Sequence, residues 1–228
     1  MSKQYKFELH AHTAESSRCG RIPAAELVKT YSKLGFDGIV ITDHLHESAI
    51  SWFECDDDWD TITDRFLAGY KAAKKVGDEI GLTVILGAEI RFKRTNNCDY
   101  LLYGIDEIFL RSNPYLHMLT PHEFYEKFGQ DILIIQAHPF RGSNETVFKE
   151  CIHGIEVQNT CIRQENRNEK ASEFHKANPA LYTVCGSDTH HEGDEGLAYM
   201  LFNSLPQNGH ELMEAIISQK EDVNYEAI

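Results

Sequence analysis

The stretch Tyr5-Lys6-Phe7-Glu8-Leu9-His10-Ala11-His12 decides how the rest of the chain is read. Tyr5 to Leu9 reads as a strand, and two imidazoles follow at its C-terminal end, two residues apart. Extended backbone has a side-chain period of two, so His10 and His12 point to the same side and can grip one metal ion. A His-x-His pair alone is a weak signal in a chain with 12 histidines. Its meaning depends on what stands at the other strand ends.

Working outward, apolar runs of strand length alternate with longer segments of helical period, which predicts a parallel α/β fold. Ile22-Pro23-Ala24-Ala25-Glu26 opens a helix with proline in its first turn, carried by Leu27, Val28, Tyr31 and Leu34 and closed by Gly35. Gly38 to Thr42 is a short buried strand, followed by an irregular stretch through Trp52 and the acidic run Asp56-Asp57-Asp58, read as a solvated loop. Thr61 to Ile80 has helical spacing and ends at Gly81. Thr83 to Leu86, Tyr100 to Tyr103, Ile132 to Ile135, Gly154 to Val157 and Leu181 to Val184 read as strands. Thr120-Pro121 begins a helix ending near Gly129, and Glu165 to Ala177 and His210 to Gln219 complete the helices. There is no repeat, low-complexity tract or Gly/Ser/Pro linker, so residues 1–228 read as a single domain.

On this map the candidate ligands fall just after strand C-termini: His10 and His12, Asp43 and His44, Glu89, His138, then Asp188 and His190. A barrel of alternating strands and helices assembles its site from such strand ends, so separate turns can converge on one point. Asp188-Thr189-His190 repeats the His-x-His spacing after Val184-Cys185-Gly186-Ser187, where small residues let the backbone turn tightly. Glu89 ends an otherwise apolar run, where a carboxylate without a partner is costly to desolvate; bridging two cations removes that cost. Asp43 is open to two roles, ligand or orienter of the His44 ring, with His44 the preferred ligand. Mixed nitrogen and carboxylate donors suit zinc, manganese or iron better than magnesium or calcium.

A chain of 228 residues, 42% hydrophobic and 25% charged, has apolar material for one full core. The net charge of −14 opposes binding of extended nucleic acid, which needs a basic stripe. Six scattered cysteines without a CxxC pair read as reduced thiols. With no signal-peptide core and no apolar run long enough to span a membrane, the expected location is the cytoplasm, with no membrane partner.

The motifs His10-Ala-His12, Thr42-Asp43-His44, Gly87-Ala-Glu89, His138-Pro139, Gly154-Ile-Glu156-Val and Gly186-Ser-Asp188-Thr-His190 stand in the order of the polymerase-and-histidinol-phosphatase (PHP) family, which this sequence resembles across nearly its whole length. The resemblance implies a distorted seven-stranded (β/α)7 TIM-like barrel, two or three divalent metal ions, and phosphoesterase activity. By position it implies that His10, His12, Glu89 and Asp188 hold a first metal, with Glu89 bridging to a second bound by His138. His44 and His190 would hold a third. The family usually supplies a further ligand shortly after the His-x-His, where this chain reads Thr13-Ala-Glu15-Ser-Ser-Arg18, and Glu15 is the expected substitute. It also often places a histidine near Tyr100 to Gly104; none stands there, leaving Cys98, Asp99 or water as alternatives.

The expected function is therefore hydrolysis of a small phosphorylated metabolite or nucleotide by a metal-activated water, with a short oligonucleotide as another possible substrate. Glu89, Asp188 and His190 are the expected catalytic residues. Arg18 and Arg141, each just past a candidate ligand, are the expected phosphate contacts. His46, His191, Glu156 and Asn159 neighbour the site, while His117, His122, His153, His175 and His210 lie on other segments and read as surface or structural residues. Two other readings stay open: an amidohydrolase-like attack on C–N bonds, and a non-catalytic metal-binding regulatory domain.

Overall fold

The computed structural model describes residues 3–54, 58–95, 97–142, 144–219 and 225–227, and two sheets organise them. Strand β1 (Tyr5–Ala11) leads to helix α1 (Ala24–Lys33) and strand β2 (Gly38–Ile41). A two-residue strand β3 (His44–Leu45) and helices α2 (Glu47–Trp52) and α3 (Trp59–Ile80) follow, then β4 (Thr83–Leu86) and β5 (Ala88–Ile90). Next come β6 (Tyr100–Tyr103), α4 (Glu107–Ser112), α5 (Pro121–Phe128), β7 (Leu133–Gln136) and β8 (Gly154–Asn159). The chain closes with α6 (Asn168–Ala177), β9 (Tyr182–Gly186), β10 (Ala198–Phe202), α7 (Gly209–Ser218) and β11 (Tyr225–Ala227).

One sheet has the order β11-β10-β1-β2-β4 and the other β3-β5-β6-β7-β8-β9. Only Gly87 separates β4 from β5, and the ladder runs across it through Gly87 N to Ile41 O (2.9 Å) and Glu89 N to Asp43 O (3.1 Å). A Cβ on Gly87 would lie 2.9 Å from Val40 Cγ1 and 3.0 Å from Thr42 Cγ2, so this crossing accepts no side chain without a shift. At the far edge His12 N donates to Thr189 O (3.0 Å) and Thr189 N to His10 O (3.2 Å), tying the end of β1 to the turn after β9.

The all-parallel expectation needs correction. β6 runs antiparallel to both β5 and β7, and β10 antiparallel to β1. The nine residues between β5 and β6 are too few for the crossover of a dozen or more that a parallel connection requires. The stretch expected to be irregular contains β3 and α2, and β10 and α4 are further elements that the periodicity did not reveal. In the acidic run, Asp58 caps α3 by accepting from Thr61 N (3.0 Å), whereas Asp56 and Asp57 lie outside the described residues. The five described cysteines are free; Cys55 lies outside that set. No helix among the described residues is long and apolar enough to cross a membrane.

Apolar side chains from both faces of the strands make the core, from Phe7, Leu9 and Val40 to Ile135 and Val184. Glu8 is buried on β1 and accepts from His10 N (2.9 Å), Ser187 N (2.9 Å) and the Tyr31 hydroxyl (2.7 Å). One carboxylate thus fastens β1, the end of β9 and α1 together directly beneath the cluster of candidate ligands.

Candidate metal centre

The strand ends place His10 on β1 and His12 just beyond it, His44 on β3 and Glu89 on β5, with His138 just beyond β7 and Asp188 and His190 just beyond β9. His138 and Asp188 adopt left-handed backbone, φ +28° and +52°. That conformation is strained for residues other than glycine and is typical of sites where function dictates backbone shape. Gly186 sits beneath His10: a Cβ there would come within 2.5 Å of His10 Cβ, so close approach of two backbones sets this glycine.

All seven side chains converge. His10 Nε2 lies 3.5 Å from Glu89 Oε2 and 3.4 Å from Asp188 Oδ1, and His12 Nε2 lies 3.3 and 3.2 Å from the same two oxygens. His44 Nδ1 is 2.8 Å from Glu89 Oε2, and His138 Nε2 is 2.8 Å from Glu89 Oε1. Glu89 thus faces two sets of imidazoles with its two oxygens. His190 Nδ1 pairs with Asp188 O at 2.8 Å.

Five atoms decide what this arrangement is for. His10 Nε2, His12 Nε2, His44 Nδ1, Glu89 Oε2 and Asp188 Oδ1 are buried and have no hydrogen-bond partner. Buried polar atoms left unpaired cost on the order of 1–3 kcal/mol each. Here they face one another, and a divalent cation is the species that satisfies nitrogen and carboxylate lone pairs together. Four groupings bring possible donor atoms within 4.8 Å of one another: His10, His12, Glu89 and Asp188; Glu89, Asp99 and His138; His12, His44 and His190; and Cys161, Asp188 and His190. The residues present fit a divalent-metal site.

The charge balance agrees. Burial opposes ionisation of Glu89, but His44 and His10 hold its carboxyl well below the usual range. Asp188 is likewise held low against burial by His10, His12 and Arg141. For His10, burial is outweighed by Asp188, Glu156 and Glu89, which hold its pKa high; for His12, burial and the neighbouring His190 and His44 push it well down. Two ionised carboxylates therefore stand among imidazoles that cannot all carry protons.

A second ring of side chains orients the first. Glu156 accepts from His138 N (2.8 Å) and lies 2.9 Å from His10 Nδ1, which fixes Nε2 as the nitrogen turned into the cluster. Asp194 holds the His190 loop by accepting from His190 N (2.9 Å) and His191 N (2.8 Å), and Arg163 clamps its carboxylate from behind. Asp43 accepts from Thr13 N (2.8 Å), Thr13 Oγ1 (2.7 Å) and Ser17 Oγ (2.7 Å), so it shapes the turn after β1.

Three candidates stand elsewhere or in different company. Glu15 is not brought to the cluster: its exposed carboxylate accepts from Ala24 N (2.9 and 3.1 Å) at the start of α1. Arg141 donates to Asp188 Oδ2 (2.6 Å), Asn159 Oδ1 (2.9 Å) and Asn166 Oδ1 (3.0 Å), leaving Nη1 outside these three bonds. Arg18 is exposed and lines a cleft of about 980 Å³ with His46, Trp52, Arg91, Lys93 and Arg94. Asp99, one of the alternatives for the missing histidine, faces Glu89 and His138 while Arg91 grips it at 2.7 and 2.8 Å. Cys19, which carries no spacing signal, lies 3.1 Å from His44 Nε2.

The family model of the PHP domain matches residues 8–215. The chain belongs to the PHP domain family. No curated protein sequence matches it. Among solved structures, it is similar to a two-domain protein of Bacteroides vulgatus containing a predicted PHP-like metal-dependent phosphoesterase. That likeness has 15% identity and a TM-score of 0.70 over 99% of this chain and 65% of the other, so the PHP chain spans just under two thirds of it. It is also similar to PsfC of Pseudomonas syringae (14% identity, TM-score 0.67, 99% of this chain and 92% of that one). A third likeness is to a protein of Bifidobacterium adolescentis named as a candidate metal-dependent phosphoesterase (16% identity, TM-score 0.55, 95% and 97% covered). At these identities the likenesses establish a shared fold.

Proposed function

We propose that this PHP protein is a metal-dependent phosphoesterase acting on a small phosphorylated metabolite or nucleotide, and that β1, β2, the continuous β4–β5, β6, β7, β8 and β9 make a distorted seven-stranded barrel in a single domain. The observation that carries the reading is the convergence of five unpartnered buried donor atoms from His10, His12, His44, Glu89 and Asp188. His10, His12, Glu89 and Asp188 would hold one zinc, manganese or iron ion, Glu89, Asp99 and His138 a second, and His44 with His190 a third. Divalent cations in such a cage supply Lewis acidity that polarises a phosphoryl oxygen and lowers the pKa of water.

The chain's own residues do the remaining work. Glu89 and Asp188 would balance the charge of the cations, and Glu156 at His10 Nδ1 leaves Nε2 free to ligate. Arg141 reaches a second cleft, of about 550 Å³, bordered by His138 and Asp99, where its guanidinium can meet a phosphoryl group. The larger cleft, with Arg18, Lys93, Arg94 and the half-buried Trp52, suits the rest of an anionic substrate, including a nucleoside. Where no third ion occupies its ring, His190, whose pKa is raised despite burial by Cys19 and Asp188, would pass a proton to a departing oxygen. The net charge of −14 favours small substrates or a short oligonucleotide over long nucleic acid.

The test is a panel of phosphomonoesters, phosphodiesters, nucleotides and amides offered to metal-reconstituted protein. Turnover of a phosphate ester, lost on chelation, supports the reading. Hydrolysis of amides alone sinks it.

A further inference from the structure

The cluster around His44 and His190 lacks a ligand that the sequence supplies in any expected place, because Glu15 is spent on the start of α1. What lies against these rings instead is a sulfur. Cys19 Sγ is 3.1 Å from His44 Nε2, and the centroid of the His190 ring lies 5.9 Å from that of His44. The turn that delivers it is built in: Ser17 N donates to Thr13 O (3.0 Å) and Gly20 N to Ser17 O (2.9 Å), and a Cβ on Gly20 would meet Thr13 O at 2.5 Å.

A second feature points to an ion beside these rings. His12 is fully buried, its Nε2 has no hydrogen-bond partner, and its donor atom lies within 4.8 Å of those of His44 and His190. Three imidazoles so close cannot all be protonated, and a thiol is a weak donor for two of them. We propose that Cys19, as a thiolate, is a ligand of a divalent cation held with His44 and His190 beside His12, giving this PHP site one soft donor. The inference rests on the metal-dependent reading of the cluster and adds to it a residue and a metal preference.

The geometry permits this with a small adjustment. At usual zinc distances, a tetrahedral ion holds its sulfur and nitrogen donors about 3.6 Å apart. The 3.1 Å gap between Cys19 and His44 must therefore open by roughly half an ångström. Cys19 is exposed on a turn, so its side chain has room to move. On binding, the S–H bond breaks, the S–metal bond forms, and the proton leaves to solvent. One thiolate biases such a site towards zinc, iron or cobalt and away from manganese or magnesium.

Cys161 is the competing sulfur, since it is grouped with Asp188 and His190. Its Sγ, however, accepts from Arg163 Nη2 at 3.3 Å, and burial pushes its thiol up. A guanidinium at the sulfur opposes a cation there.

The experiment is cobalt reconstitution of the full chain, read by absorption and by ion count. Wild type is expected to show sulfur-to-cobalt charge transfer in the near ultraviolet. Cys19→Ser should abolish the band and remove one ion, while Cys161→Ser and Glu15→Gln keep both. Cys19→His should restore the ion without the band. Zinc affinity at this site should fall about tenfold or more in Cys19→Ser. A wild-type protein that binds cobalt with no sulfur band, or a band that survives Cys19→Ser, overturns the assignment while leaving the rest of the metal cage standing. Failure of wild type to bind cobalt, zinc or manganese overturns the cage reading and this inference together.

Discussion

Deleting a single oxygen, in Tyr31→Phe, probes the scaffold that holds the cluster in place. The Tyr31 hydroxyl is fully buried, donates to Glu8 Oε2 at 2.7 Å, lies 2.6 Å from Thr189 Oγ1 and accepts from Gly196 N at 3.3 Å. Phenylalanine fills nearly the same volume, so the loss is one of hydrogen bonding. A bond to an ionised carboxylate contributes about 1.5–3 kcal/mol and a neutral one about 1 kcal/mol, which together predict a loss of about 3 kcal/mol. For a domain of this size each kcal/mol moves Tm by about 2–4 °C, so the midpoint should fall by about 6–12 °C. The assay is thermal unfolding at pH 8, where Glu8 is ionised, of wild type, Tyr31→Phe, Glu8→Gln and the double variant. A coupling of about 1 kcal/mol or more between the two positions is expected. A shift below about 2 °C, or simple additivity, would refute the view that this carboxylate fastens β1, α1 and the Asp188 turn.

Burial raises the Glu8 carboxyl to about 7, beyond what the bonds from His10, Ser187 and Tyr31 restore. Its contribution to stability is thus complete below the unfolded value near 4.5 and is lost as pH rises through about 7, a swing of about 3 kcal/mol. Urea midpoints of chelator-treated protein should fall between pH 5 and pH 8, and Glu8→Gln should flatten that slope; an unchanged slope contradicts the assignment. Asp194→Asn weakens the clamp on the His190 loop, so metal affinity should drop about 10–100-fold by calorimetric titration, with an unaltered value excluding a positioning role. Asp99→Ala should release the ion shared with Glu89 and His138 while the one at His10 and His12 stays, and elemental analysis showing no loss would remove Asp99 from the centre.

The candidate ligands were legible because they are polar residues where a buried strand end should be apolar, and because two of them repeat at the period of extended chain. His10, His12, Glu89 and Asp188 meet at that face for this reason. The antiparallel turn into β6 was hidden in residues 91–99, whose polar sequence gives no period, and β10 was hidden because its partner is β1, nearly the whole chain away. Glu15 misled for a local reason: a carboxylate nine residues before Ala24 finds the open N–H at the start of α1. Cys19 gave no signal because a thiol in a turn has neither period nor charge pattern, and only the fold reveals that the turn ends against His44.

In the proposed site Glu89 would bridge a cage of converging side chains suited to divalent cations. Elemental analysis of purified wild type beside Glu89→Gln and His138→Ala tests it most directly. Wild type should carry two or more zinc, manganese or iron ions per chain, with most of them lost in Glu89→Gln and one lost in His138→Ala. Full metal content in both variants would contradict it.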